Sequence, residues 1–344
     1  MDKMTYAKAG VDIDREALAI RALAGEIKHT LNFRKGKAGE SLLGVGHFAA
    51  LISLDAERTL ALSADGVGTK ILVAEAMQKY DTIGIDLIAM NANDVICVGA
   101  EPMVLVDYIA IEEPDENIME EIGRGMAKGA ETAGISIVGG ETATLPEIVK
   151  GFDIAGLILG FVDRKKIVTG KSISPGDVVI GLASSGIHSN GLTLARKVIF
   201  PEYKPEDEIF PGRKAGEELL EPTRIYVREV LECLACVNVK GIANITGGGL
   251  GNLARITDYG FILDNLPEPQ RIFKLIQELG NVPENEMYRT FNMGIGLCIV
   301  AGREDAEKIV EICKKHGTEA KIIGSVVKEK GVAIKGRDFV LGYG

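Results

Sequence analysis

Asp65-Gly66-Val67-Gly68-Thr69-Lys70 sets a carboxylate, two glycines, a hydroxyl and an ammonium side by side, directly after the apolar run Leu60-Ala61-Leu62-Ser63-Ala64. The order reads as a strand ending in a carboxylate, then a flexible turn, then a cation that opens a helix. Glycines let backbone N–H groups approach an anion, and a helix start carries partial positive charge. Asp65 beside that turn is suited to holding a divalent cation against the anion. This is the equipment for gripping a metal-bound polyphosphate. It differs from the common phosphate loop, whose two glycines are separated by four residues and followed by Lys and Ser/Thr.

Other clusters add to it. Met90-Asn91-Ala92-Asn93-Asp94 interrupts an otherwise apolar helix, and burying such groups is costly unless they find partners. Asn91 and Asp94 are three apart and share a face. They read as an orienting amide and a metal ligand; a helix kink or an internal hydrogen-bonded cluster is the bland alternative. Gly139-Gly140-Glu141-Thr142 follows the expected strand Ile135–Val138 and hangs Glu141 at its end, unless it is an ordinary glycine turn. Asp65, Asp94 and Glu141 together would suit Mg²⁺, which takes a few carboxylates plus phosphate oxygens and water. Asp107 and Asp153 sit at or in strands and are equally explained by structural pairing. Gly44-Val45-Gly46 is a short glycine loop able to drape over a triphosphate, with Lys28 to neutralise charge. His47 beside it reads as structural.

Two more glycine turns follow downstream. Ser184-Ser185-Gly186-Ile187-His188-Ser189-Asn190-Gly191 closes one strand and opens a helix, a good setting for a phosphate monoester. His188 in it is a candidate for oxyanion stabilisation or proton transfer, and helix capping by Ser189 or Asn190 is the structural counterpart. Ile245-Thr246-Gly247-Gly248-Gly249-Leu250 is a second such turn, its glycines explained by close approach of a ligand or by tight packing. Arg289-Thr290-Phe291-Asn292-Met293-Gly294 can line the same cleft.

These residues need a scaffold, and the composition supplies one. The 344 residues are 46% hydrophobic and 26% charged, enough for two cores. A net charge of −10 argues against a general nucleic-acid binder. The first twenty residues carry charges throughout, so no secretory signal is expected. The longest apolar run, Ile154 to Val162, is a buried strand, far short of the roughly 20 residues that cross a bilayer. Five cysteines, an odd number in a long chain, fit a reducing cytoplasm rather than a disulfide framework. Cys233 and Cys236 lack the second pair a zinc ribbon needs and read as helix thiols, with a redox pair as the alternative.

The periodicity predicts helices at Asp14–Leu31 (Leu18, Ala22, Leu23 and Ile27 on one side), Gly68–Gln78, from an Asp81-Thr82 cap to Cys97, and Asp115–Ala133. It predicts strands at Ala49–Leu54, Thr59–Ala64, Met103–Ile111, Ile135–Val138 and Ile154–Val162. Lys165–Asp177 reads as a hinge. The pattern then restarts with strand Val178–Ala183, helix Gly191–Phe200, a polar excursion at Pro201–Gly216, helix Thr223–Cys236 and strand Lys240–Ile245. The expectation is a mixed α/β (α+β) protein of two domains, 1–168 and 169–344, with hairpins that exclude a pure Rossmann sheet.

Taken together, the motifs resemble the phosphoribosylformylglycinamidine cyclo-ligase (aminoimidazole ribonucleotide synthetase) family of purine biosynthesis. The resemblance runs through Tyr6–Asp14, D-G-V-G-T-K, M-N-A-N-D followed by Gly99-Ala100-Glu101-Pro102, G-G-E-T, S-S-G-I-H-S-N-G, I-T-G-G-G and Phe291–Gly296. It implies a homodimer in which the N-terminal sheets of two subunits pair into a barrel-like core. It implies ATP and Mg²⁺ on the first domain, against Gly44, Gly46, Asp65, Gly66, Gly68, Thr69, Lys70, Asn91, Gly139, Gly140 and Thr142, with Asp65, Asp94 and Glu141 as metal ligands. It implies formylglycinamidine ribonucleotide on Ser185, Gly186, His188, Ser189, Asn190, Thr246, Gly247 and Gly248, with Lys28, Asp65, Asp94 and His188 as catalytic residues. The family often has a histidine just before I-T-G-G-G; here the position is Asn244. Within the superfamily, selenophosphate synthetase would need a reactive Cys near the N-terminal glycine loop, whereas the first here is Cys97. The hydrogenase-maturation enzyme would end in a Cys-bearing tail, whereas this chain ends Leu341-Gly342-Tyr343-Gly344. A non-catalytic nucleotide-binding paralogue is the alternative of another class.

Overall fold

The structure, a computed structural model, describes residues 3–44 and 46–342. Val45 of the glycine loop and the terminal Tyr343-Gly344 lie outside the described residues. Two sheets organise the chain. The first has six strands: β1 (Glu40–Ser41), β2 (Ala50–Ser53), β3 (Arg58–Gly66), β4 (Glu101–Ile111), β5 (Ser136–Thr144) and β6 (Phe152–Asp163), in the order β1-β2-β3-β6-β4-β5. Only the β4–β5 pair is parallel. The expected hairpin between 49–54 and 59–64 is β2–β3.

Helices α1 (Ile13–Ile27), α2 (Ile71–Met77), α3 (Ile83–Ile96) and α4 (Glu116–Ala133) belong to this half of the sequence. Alternation along β6 is clean: Phe152, Ile154, Ile158 and Val162 are buried on one face, and Asp153, Leu157 and Asp163 are exposed on the other. α3 lies on the buried face. It is enclosed on nearly every side, as a predominantly apolar helix must be, and it carries Asp86, Asn91 and Asn93 into the interior with it.

The second half is built on β7 (Val178–Ala183) and, after a small hairpin of β8 (Glu208–Phe210) and β9 (Arg213–Lys214), on β10 (Val239–Asn244), β11 (Gly260–Leu263), β12 (Ile295–Ala301), β13 (Ala320–Val327), β14 (Val332–Ile334) and β15 (Val340–Leu341). The sheet order is β10-β12-β7-β13-β11-β14-β15. β7 lies inside the sheet between β12 and β13, and β12 is buried throughout. Helices α5 (Leu192–Ile199), α6 (Ala215–Leu219), α7 (Val227–Cys236), α8 (Arg271–Gly280), α9 (Glu284–Thr290) and α10 (Ala306–Lys315) complete it.

Several expectations change. G-G-E-T does not follow a strand: β5 runs on to Thr144 and carries Gly139–Thr142 inside it. Helix α7 begins at Val227, not Thr223. Neither Asp81 nor Thr82 caps α3; Thr82 is the N-cap residue but makes no side-chain capping bond. The stripe Leu18, Leu23 and Ile27 of α1 faces solvent. α1 is instead tied down at its start, where the N-terminal segment docks on the second half. Met4 N–H donates to Gly280 O at 3.1 Å, Tyr6 N–H to Glu286 Oε1 at 2.7 Å, and Arg289 pairs with Asp14.

Candidate functional site

A cleft of about 460 Å³ opens where the two halves meet. One wall is the end of β3 and the turn after it, with Asp65, Gly66, Gly68 and Thr69; Met90 of α3 lies beside them. The opposite wall is Ser189, Asn190, Thr246 and Gly247 from the two glycine turns of the second half. Tyr6 and the first half of α1 (Glu16, Ala17, Ile20) form the rim. The two walls are stitched by Thr69 Oγ1 and Thr193 Oγ1, 2.8 Å apart.

The polar stretch of α3 explains itself in three directions. Asn91 clamps the end of β3: its Oδ1 accepts from Asp65 N–H at 3.0 Å, and its Nδ2 donates to Asp65 O at 3.1 Å and Leu87 O at 2.9 Å. Asn91 therefore orients Asp65 by its backbone, and is itself buried. Asn93 bridges to the second half, donating to Arg224 O at 2.8 Å and accepting from Tyr226 N–H at 3.0 Å. Asp94, one helical turn beyond Met90 and so on the same side of α3, accepts from Asn244 Nδ2 at 2.8 Å.

Asp65 and Asp94 form an electrostatic pair. Burial raises the Asp65 carboxyl above its ordinary range, against a bond from Gly66 N–H. Burial, with Asp65 adding to it, pushes Asp94 up to about 7, opposed by the Asn244 bond and the charge of Arg255. Two neighbouring carboxyls that burial makes reluctant to ionise are poised for a cation.

Glu141 does not join them. Register places Asp65 opposite Gly156, Gly156 opposite Asp107, and Asp107 opposite Gly140. Glu141 is one residue on, so its side chain lies on the other face of the sheet, about 14 Å away at three strand spacings. The residue sharing the face of Asp65 is Asp107. Its carboxylate fills the space over Gly140, where a Cβ would sit 2.3 Å from Oδ1. Among the described residues no group of three His, Cys, Asp or Glu is disposed to hold a metal. Two carboxylates with phosphate oxygens and water nevertheless fit Mg²⁺, which rarely uses an all-protein cage. Gly139 and Thr142, in the same exposed edge strand, are likewise not on the cleft walls.

Lys70 is corrected too. It is fully buried, with Nζ 2.8 Å from Asp86 Oδ2 and donating to Glu221 O at 2.6 Å. Asp86 Oδ1 also accepts from Ser189 Oγ at 3.1 Å and Thr223 N–H at 2.7 Å. Burial pulls the ammonium below its usual pKa and Asp86 counters it. Lys70 thus fastens the halves together and is not free for a phosphate. Lys28 is exposed beyond the end of α1, roughly 12 Å along the helix from Ile20, the last α1 residue on the rim.

The Ser185–Asn190 turn divides between scaffold and wall. His188 is buried with φ +65°, and its Nε2 accepts from Ser185 N–H at 3.2 Å and Arg224 N–H at 3.5 Å. Burial, then the charges of Lys70 and Arg224, hold its pKa down at about 3. It is a neutral acceptor that shapes the turn, not a proton carrier. Ser185 Oγ donates to Pro222 O at 2.5 Å, and Gly186 O accepts from Asn292 Nδ2 at 2.9 Å. Asn292 also holds Ile187 O and Ser184 Oγ, so it pins the turn from beneath. The capping expected of Ser189 or Asn190 is absent, because Gly191 with φ +77° occupies that position. Of the two causes expected for the triple glycine, tight packing is seen at Gly249. Gly247 lines the cleft, whereas a Cβ on Gly249 would sit 2.0 Å from Tyr288 O; Gly248 lies between them with φ +106°.

Sequence reasoning missed Asp86, Asn93, Thr193 and Arg255. Asn93 carried a signal, a polar residue in an apolar helix. The partners of the others are 16 to 209 positions distant.

Against this geometry, known proteins give a consistent answer. The family model for AIR synthase related proteins matches residues 46–162 with its N-terminal domain and 174–337 with its C-terminal domain. A phosphoribosylformylglycinamidine cyclo-ligase of Thermococcus kodakarensis is 52% identical over 96% of this chain and 98% of its own. One of Methanocaldococcus jannaschii is 51% identical over 94% and 92%. The chain therefore belongs to the phosphoribosylformylglycinamidine cyclo-ligase family. Solved structures share the fold at low identity. A chain of a HypE–HypF complex superposes with TM-score 0.65 at 20% identity, covering 92% of this chain and 99% of that one. Thiamine-monophosphate kinase from Stenotrophomonas maltophilia gives 0.64 at 19%, covering 91% and 96%.

Proposed function

We propose that this chain converts formylglycinamidine ribonucleotide and ATP to aminoimidazole ribonucleotide, ADP and phosphate. The observation that carries the reading is the cleft itself. A carboxylate-and-glycine turn fit for a metal-bound polyphosphate faces a second glycine-lined wall fit for a ribonucleotide phosphate. The family relationship supports it.

The chemistry follows from the leaving group. An amide oxygen leaves poorly; phosphorylated, it leaves well. The formamide oxygen takes the γ-phosphoryl group, forming an O–P bond as the bond to ADP breaks. The amidine nitrogen then attacks that carbon, the C–O pair departs on phosphate, and loss of a proton completes the ring. Phosphoryl transfer asks mainly for positioning and charge neutralisation. Asp65 and Asp94 would hold Mg²⁺, which supplies that neutralisation. Asn91 fixes Asp65, Asn244 fixes Asp94, and Asn190, Thr246 and Gly247 present backbone and side-chain donors to the ribonucleotide. Gly44 and Gly46 would cover the triphosphate. No step is assigned to Lys28, Lys70, Glu141 or His188.

Residues 1–168 would serve as the nucleotide domain and 169–344 as the substrate domain. The first sheet also has an open apolar face. Val106 pairs across to Leu157, both exposed, with Tyr108 beside them. A second copy would bury it by sheet pairing into a barrel-like core, and light scattering should give twice 36.8 kDa. Free cysteines support a cytoplasmic location. No helix among the described residues is long and apolar enough to cross a membrane.

Incubating the protein with ATP, Mg²⁺ and formylglycinamidine ribonucleotide tests the function. Substrate-dependent ADP with ring product is expected. No ADP above background would overturn the reading, and ADP without ring product would indicate a kinase-like relative.

A further inference from the structure

Arg255 closes the 3₁₀ segment Gly249–Arg255 that follows the triple glycine. Its Nη2 donates to Gly46 O at 3.1 Å and His47 O at 3.2 Å. Its guanidinium carbon lies 4.1 Å from the centre of the Phe48 ring, which is buried. One side chain of the second half thus engages three successive residues of the first, where the glycine loop runs into β2. Arg255 is exposed, and an exposed guanidinium is well satisfied by water, so burial does not force these contacts. Phe48 and Ala49 anchor the loop end in the core, whereas both ring nitrogens of His47 are enclosed without a hydrogen-bond partner.

The same segment reaches the other parts of the site. Asn252 Nδ2 donates to Asn244 O at 3.2 Å and Thr246 Oγ1 at 3.1 Å. Asn244 in turn holds Asp94, and Thr246 lines the cleft. From Asn244 to Arg255 a single stretch therefore touches the metal-side carboxylate, the substrate wall and the loop end.

We infer that Arg255 is a positioning residue for ATP: it locks the Gly46–Phe48 end of the glycine loop to the substrate wall, so that triphosphate and ribonucleotide are presented together. This rests on reading that loop as the triphosphate cover. The planar fork suits the task, since it stacks on Phe48 while one edge meets two carbonyls, which a lysine ammonium cannot reproduce.

The test compares wild type with Arg255→Ala and Arg255→Lys. Hydrogen exchange of a peptide spanning 46–50, without nucleotide, reads the lock directly. KM for ATP, KM for formylglycinamidine ribonucleotide and kcat read its consequence. Arg255→Ala should exchange faster at 46–50 and raise KM for ATP about tenfold, with the other KM little changed. Arg255→Lys should fall between. Unchanged exchange and unchanged KM for ATP in Arg255→Ala would overturn the inference. So would equal rises in both KM values with a lowered melting temperature, the mark of a merely structural role. Should Arg255→Ala not fold, Arg255→Lys decides by the same criteria. If wild type makes no substrate-dependent ADP, it is the reading of the loop that fails, while the exchange measurement still reports on the lock.

Discussion

Asn244 and Asp94 meet across the boundary between the two sheets, the amide of one donating to the carboxylate of the other at 2.8 Å. The bond stabilises the charged form of a carboxyl that burial otherwise keeps protonated near neutrality. Asn244→Ala should therefore keep the fold but weaken the apparent Mg²⁺ affinity, by about tenfold if the lost bond has the strength usual for a charged acceptor. Titrating activity against Mg²⁺ checks this; an unchanged requirement would separate Asn244 from the metal side of the site.

Asp94→Asn should gain stability while losing most activity. The Asp94 carboxyl has its folded pKa raised, from 3.8 to about 7. As pH rises from about 4 the unfolded chain releases this proton first, so the folded state is progressively disfavoured until about pH 7 and no further beyond. Asn does not ionise and escapes that penalty. Thermal melting without Mg²⁺ should show the variant gaining on wild type between pH 4 and 7, then a constant advantage. A variant less stable than wild type at pH 8 would contradict the burial argument.

His188 acts by accepting hydrogen bonds. Its folded pKa is depressed to about 3, so its contribution to stability is full above about pH 6.5 and is lost as pH falls toward 3. NMR should find the ring neutral throughout pH 5–8. His188→Ala leaves two N–H groups without their acceptor, at a position of φ +65° where Ala is less at home than His, costing about 1–3 kcal/mol. His188→Asn, which tolerates that φ better, should cost less and leave the pH–rate profile in place. An inflection that disappears in His188→Asn would restore a proton-transfer role.

Lys70 and Asp86 are a buried pair joining the halves. Lys70→Met strands the Asp86 carboxylate and should cost about 3–5 kcal/mol, part of it recovered in Lys70→Met/Asp86→Asn. In protein kept well below its melting temperature, KM for ATP should stay near wild type. A large rise in KM with little loss of stability would return Lys70 to the phosphates.

Much of the scaffold was readable in sequence because it is local. The alternation of β3 and β6 and the apolar surround of α3 declare themselves within a few residues. Asp65, Asn91 and Asp94 stood out as polar groups where apolar ones were due, and the fold brings them together. What escaped is non-local. Glu141 fails because β5 continues through two glycines and one residue of register turns a side chain to the opposite face. Lys70 fails because Asp86 and the Glu221 carbonyl capture it, one of them 151 positions away. Ser185 and His188 look like a phosphate cradle, but Pro222 and Arg224 use them. Polar residues in a glycine turn do not announce whether ligand or neighbour satisfies them.

The central claim is that the formamide oxygen becomes a phosphate ester before the ring closes. Formylglycinamidine ribonucleotide labelled with ¹⁸O in its formyl group, turned over with unlabelled ATP, tests it most directly by mass spectrometry of the released phosphate. The account predicts one labelled oxygen in each phosphate formed. Label appearing in water, with none in phosphate, would contradict it.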